Sequence, residues 1–84
     1  MRKITFLTNV NKITKIIVDG TELETMLDPV AMKNYRQNKN KLPPIIGKQI
    51  LDGLETKLKR DTVKLSHEEF AFIIDYAKGE LGIS

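Results

Sequence analysis

Apolar side chains in this chain recur at every second position before Asp28 and at every fourth position after Pro44, which dictates strands first and helices afterwards. Residues 3–8 alternate, with Ile4, Phe6 and Thr8 on one face and Thr5 and Leu7 on the other. The polar patch Asn9-Val10-Asn11-Lys12 offers a turn. Ile13–Val18 is dense in β-branched side chains, and Asp19-Gly20 then supplies the positive φ of a tight hairpin. Thr21–Thr25 alternates around the single apolar Leu23, which suits an edge strand. Three such strands form an antiparallel meander that buries one face and needs helices to cover it.

Asp28-Pro29 is a helix start, an N-cap acceptor followed by the imino acid tolerated at the first helical position. A short helix is expected from Pro29 to about Gln37, followed by a solvated Asn38-Lys39-Asn40-Lys41 loop and an extended Leu42-Pro43-Pro44. From Pro44 to Lys59 an apolar stripe runs through Ile46, Ile50, Leu54 and Leu58, with Leu51 beside it. Gly47 and Gly53 weaken that helix and suit a close packing approach. Thr62–Leu65 reads as a short extended piece placed to add to the sheet. In the last helix, Ser66 and Glu69 form a capping box, with Leu65 and Phe70 as its hydrophobic staple. Phe70, Ile73, Ile74, Ala77 and Leu81 mark its buried face, and Gly79 or Gly82 ends it. Ile50 and Phe70 are both expected to point into the single core.

The architecture expected is therefore α+β: one small domain over residues 1–84, with an N-terminal three-stranded antiparallel β-meander packed against two C-terminal α-helices. The meander occupies 1–27, a basic loop with a short helix occupies 28–44, and the helical part occupies 45–84. No apolar run approaches the ~20 residues of a membrane helix. The chain has no cysteine, which excludes disulfides and thiolate chemistry, so the expected location is the cytoplasm. Lysine outnumbers arginine 11 to 3, and Ile is common while Ala is scarce. Those preferences follow A/T-rich codons, as in a low-GC bacterium or one of its phages.

The basicity is concentrated in the middle. Pro29–Leu51 spans 23 residues without an acid and carries +5 from Lys33, Arg36, Lys39, Lys41 and Lys48, whereas the whole chain is only +3. Such a segment attracts a polyanion or an acidic protein surface. Its functional reading places these five cations on the partner, with Tyr35 stacking on a base if the partner is nucleic acid. The plainer reading is a solvated loop in a lysine-rich protein. On the last helix, Phe72 and Tyr76 widen the apolar arc beyond one helix face. They either complete the core or form a patch that pairs two copies or docks a partner.

Catalysis is not expected. His67 is the only histidine and has no ligand at helical spacing, and its neighbours Glu68 and Glu69 do not converge with it on one metal. Asp19, Glu22, Glu24 and Asp28 cluster in ten residues, but not at the spacing of a calcium loop. Ser66 is committed to capping, and no glycine-rich phosphate loop is present. The chain is expected to be no enzyme, with no cofactor and no metal. The function expected is a non-catalytic binding or regulatory protein that occupies a macromolecular partner, such as a phage or mobile-element accessory protein modulating a host defence system. A small nucleic-acid-binding protein using segment 33–48 is the alternative, and a structural subunit of a larger assembly is the third reading. A protein partner leads, followed by nucleic acid or a second copy of the chain, and no membrane is expected.

Overall fold

The structure, a computed structural model, describes residues 1–83. Three strands, β1 (Ile4–Thr8), β2 (Thr14–Val18) and β3 (Thr21–Leu27), precede three helices, α1 (Pro29–Asn38), α2 (Ile45–Lys59) and α3 (His67–Leu81). The strands form one antiparallel sheet in the order β1-β2-β3. Between β2 and β3, Asp19 and Gly20 both take positive φ, 50° and 81°, the twisted geometry that a two-residue hairpin requires. Between β1 and β2, the Asn9 side-chain oxygen accepts from the Asn11 and Ile13 amides, while Lys12 takes φ 64°.

Inward-facing residues of all three strands build the core under the helices. Ile16, Val18, Leu23 and Leu27 are buried, together with Leu54 and Leu58 of α2 and Ile73, Ile74, Ala77 and Leu81 of α3. Helix α3 is central, because it packs against both α1 and α2. Ile50 and Phe70, expected in the core, are only half-buried at its rim. Each sits at one edge of its helix stripe and packs against the core from there, and the Lys59 ammonium lies 5.9 Å from the Phe70 ring centre.

The β2–β3 ladder is irregular, and the irregularity organises the far side of the sheet. Val18 pairs with Thr21 and Ile17 with Glu22, but Lys15 pairs with Met26 and Thr14 with Leu27. The register thus slips by two residues in β3, an even slip that leaves Leu23, Thr25 and Leu27 all facing inward. The Thr25 amide within this bulge donates to the Asp61 carboxylate at 2.8 Å. Asp61 is only 2 % exposed and also accepts from the Val63 amide at 3.2 Å. Its backbone turns the chain between α2 and α3, so Thr62–Leu65 does not add a strand as the sequence suggested. A carboxylate, rather than a fourth strand, meets the β3 amide.

Helix α3 starts as its capping box demands. The Glu69 amide donates to the Ser66 hydroxyl, and the Glu69 carboxylate accepts from the Ser66 amide at 2.8 Å. That carboxylate also accepts two Arg2 guanidinium hydrogen bonds, at 2.8 and 2.9 Å, and a third from the Arg2 amide. The Arg2 guanidinium, then the Ser66 amide, hold the Glu69 carboxyl well below the ordinary carboxylate range. At the other end Gly82 takes φ 71° and closes the helix.

Two outcomes follow. Asp61→Ala costs about 3 kcal/mol in chemical denaturation, because it strands the buried Thr25 amide and releases the Val63 amide. Burial alone would raise the Asp61 carboxyl, but amide donors from Thr25 and Val63 outweigh it and leave it below the ordinary aspartate value. This contribution is therefore complete well above the ordinary aspartate value and fades as pH falls through the lowered native one, a loss that Asp61→Ala does not show in acid titrations of stability. Separately, Ser66→Ala lowers stability by about 1 kcal/mol in the same denaturation assay, since a first-turn amide loses its acceptor.

Candidate functional site

The basic segment folds into α1, a turn at 39–44 and the first turn of α2. Asp28 caps α1, accepting from the Val30 and Ala31 amides, and no acid sits in the first turn of either helix. Lys33, Arg36, Lys39, Lys41 and Lys48 are all exposed. Among the described residues none of the five pairs with a carboxylate; the ion pairs seen are Arg2–Glu69 and Lys15–Glu22.

Tertiary structure brings two of these cations together from different helices. Lys39, at the C-terminal end of α1, and Lys48 of α2 line one depression, floored by Tyr35 and Leu51 and closed by Pro44 and Ile83. No carboxylate lines it. Lys33 lies one turn before Arg36 on α1, and Lys41 lies in the turn that follows α1, so all five cations are carried by α1, that turn and the start of α2. Part of that charge already has a partner within the fold. Lys39 donates to the Gly82 carbonyl at 3.3 Å, and the Arg36 side chain lies against Gly82. Both therefore complement the negative end of the α3 dipole.

Tyr35 corrects the stacking expectation. It is only 9 % exposed and belongs to the core, because the apolar side of α1 is carried by Met32 and Tyr35 alone and must cover α3. Its edge reaches the depression, but so small an exposed area does not favour stacking on a base. Its hydroxyl end is seated on α2 at Gly47, where a Cβ would come within 2.5 Å of Tyr35 Oη and 2.7 Å of Cζ. Gly47 is thus the close approach that its presence in a helix suggested. Nothing crowds Gly53 in the same way.

The second candidate patch lies across the molecule's aromatic side. Tyr76 is half-buried and stacks on Phe6 of β1, with ring centres 3.8 Å apart and planes 6° apart. Phe72 flanks the same Phe6 ring at 6.1 Å but is 43 % exposed. The two residues therefore divide the roles that the sequence left open. Tyr76 completes the packing between sheet and helix, and burial, then the nearby Glu80 charge, raises its phenol. Phe72 remains at the surface.

His67 is exposed in the first turn of α3. Glu22 and Glu24 are exposed on β3, and Glu22 pairs with Lys15 of β2 at 3.4 Å. Among the described residues no three potential metal ligands converge. Two contributors escaped sequence reasoning. Arg2 gave no local signal, because its partner lies 67 positions away. Asp61 did carry one, the Asp-x-Val spacing of a side-chain turn, which its bond to the Val63 amide realises.

No family model, characterised protein or solved structure matches this chain. Among the described residues no helix is long and apolar enough to cross a membrane.

The Tyr35–Gly47 seat is testable. Gly47→Ala forces the tyrosine ring or α2 to move and lowers stability by about 1–3 kcal/mol in urea denaturation, although alanine is the better helix former. At the uncrowded Gly53 the same change is neutral or stabilising.

Proposed function

We propose that this protein is a non-catalytic binding protein that docks its α1–α2 basic surface on an acidic surface of a protein partner. The observation that carries this reading is the convergence of Lys39 and Lys48 on one depression that no carboxylate lines, extended by Lys33, Arg36 and Lys41. A positive surface of this kind raises the association rate with an acidic partner and selects against basic ones. A protein surface is favoured over nucleic acid because Tyr35, the one aromatic of the segment, is committed to the core and offers no stacking platform. The chain's side chains are also poorly supplied for covalent chemistry: Ser66 is engaged in the capping box and there is no cysteine. The lysine- and isoleucine-rich composition supports the narrower proposal of a phage or mobile-element accessory protein that occupies a component of its host.

Capture of partners from host lysate, with and without nuclease, tests this. The expected result is retention that survives nuclease, weakens with added salt, and falls at least tenfold for the double variant Lys39→Glu, Lys41→Glu. Lys41 is exposed, whereas Lys39→Glu gives up the bond to the Gly82 carbonyl, so native circular dichroism of the variant is confirmed before capture is compared. Loss of capture on nuclease treatment assigns the surface to nucleic acid, for which each phosphate contact adds about 0.7–0.9 to the log–log salt slope. Undiminished capture by the double variant shows that the basic surface takes no part.

A further inference from the structure

The two edges of the sheet are built differently. Edge strand β3 is guarded: it slips register by two residues, presents Glu22 and Glu24 to solvent, and has its Thr25 amide covered by Asp61. These are the devices that keep a strand from pairing with another chain. Edge strand β1, Ile-Thr-Phe-Leu-Thr, has none of them; it contains no charge, no proline and no bulge.

The ladder shows which β1 groups are free. The Asp19 amide donates to the Lys3 carbonyl at 2.7 Å and the Asn9 amide to the Ile13 carbonyl at 3.0 Å, so hydrogen-bonded pairs fall at Lys3–Asp19 and Asn9–Ile13. Antiparallel pairs alternate, which places Thr5–Ile17 and Leu7–Lys15 in the same class. Ile4, Phe6 and Thr8 are the intervening close pairs, and the Thr8 and Thr14 hydroxyls accordingly meet at 2.8 Å. The backbone N–H and C=O groups of Ile4, Phe6 and Thr8 therefore point away from β2, and no described residue bonds to them.

We infer that β1 pairs antiparallel with β1 of a second copy about a two-fold axis at Phe6, joining two sheets into one of six strands. The register is set by the free groups: Phe6 faces Phe6 of the second copy, and Ile4 faces its Thr8. About six interchain hydrogen bonds result, using every outward group of the strand. The charges permit it, because Lys3 then faces Asn9 of the second copy and no like charges oppose. The side chains favour a second copy over a foreign strand. Phe6 is already stacked on Tyr76 and flanked by the exposed Phe72, so the two-fold brings two identical aromatic groups edge to edge. On the open face Leu7, 51 % exposed, covers Thr5 of the second copy. This surface is separate from the basic one and stands without it.

Sedimentation equilibrium up to about 1 mM chain tests the pairing, with dimer formation as the expected result. Thr8→Pro removes an N–H that the monomer does not use, and proline is tolerated on an edge strand in that position; it also ends the Thr8–Thr14 hydroxyl bond, so Thr8→Val, which loses only that bond, is measured beside it. The proline variant should keep native circular dichroism and weaken association at least tenfold. Phe72→Ser, at an exposed helix site, should weaken association too and serves if Thr8→Pro does not fold. Because the chain lacks cysteine, the register can be read by cross-linking. Thr5 and Leu7 of opposite copies form a close pair about 4.5 Å apart at Cα, within disulfide range. A mixture of the Thr5→Cys and Leu7→Cys proteins should therefore oxidise to a mixed dimer, while neither cross-links efficiently alone. A strict monomer at about 1 mM overturns the inference. So does a dimer that both Thr8→Pro and Phe72→Ser leave unchanged, and preferential cross-linking of either single-cysteine protein with itself overturns the register.

Discussion

The carboxylate of Asp61 holds together what the chain's two halves would otherwise leave unfinished. A bulged strand has backbone groups that its neighbour cannot reach, and a buried amide without a partner is expensive. Asp61 supplies that partner from the turn between the two long helices, so the slip in β3 and the path from α2 to α3 are solved by one side chain. The three-stranded sheet is thus completed by a helix-to-helix turn.

Around this junction the fold is held by contacts of very different sequence range. The hairpin at Asp19-Gly20 and the capping box at Ser66 are local and fix their elements without help. Helix α1 is different. Its apolar side consists of little more than Met32 and Tyr35, too little to hold a ten-residue helix in water, so its position depends on the seat at Gly47 and on Arg36 and Lys39 against the end of α3. The residues that give the segment its positive charge also help to anchor it.

Local periodicity and turn chemistry carried most of the architecture in readable form. The strands, the Asp28 cap, the stripe of α2 and the start and buried face of α3 all follow from spacings within a few residues. What could not be read was set at long range. The burial of Tyr35 depends on a helix that begins ten positions later, and the pairing of Arg2 with Glu69 spans nearly the whole chain. Thr62–Leu65 has strand-like composition, but the bulge in β3 and the Asp61 turn leave it no ladder to join. Among the candidate site residues, the exposure of the five cations followed from their charge. Their convergence, and the split between a packed Tyr76 and an exposed Phe72, needed the helices to be placed first.

The bond between Arg2 and Glu69 also fixes an order of events. Strand β1 leaves the ribosome before the helices, yet its anchoring arginine waits for a carboxylate 67 residues further on, and the inner face of the sheet waits for the helices that follow it. The meander therefore has no finished state of its own during synthesis. Its apolar face, Ile16 and Val18 included, stays uncovered until the helices arrive, and the uncharged edge of β1 stays open with it. Contacts of this sequence range raise the contact order, which slows folding relative to a chain held by local contacts alone.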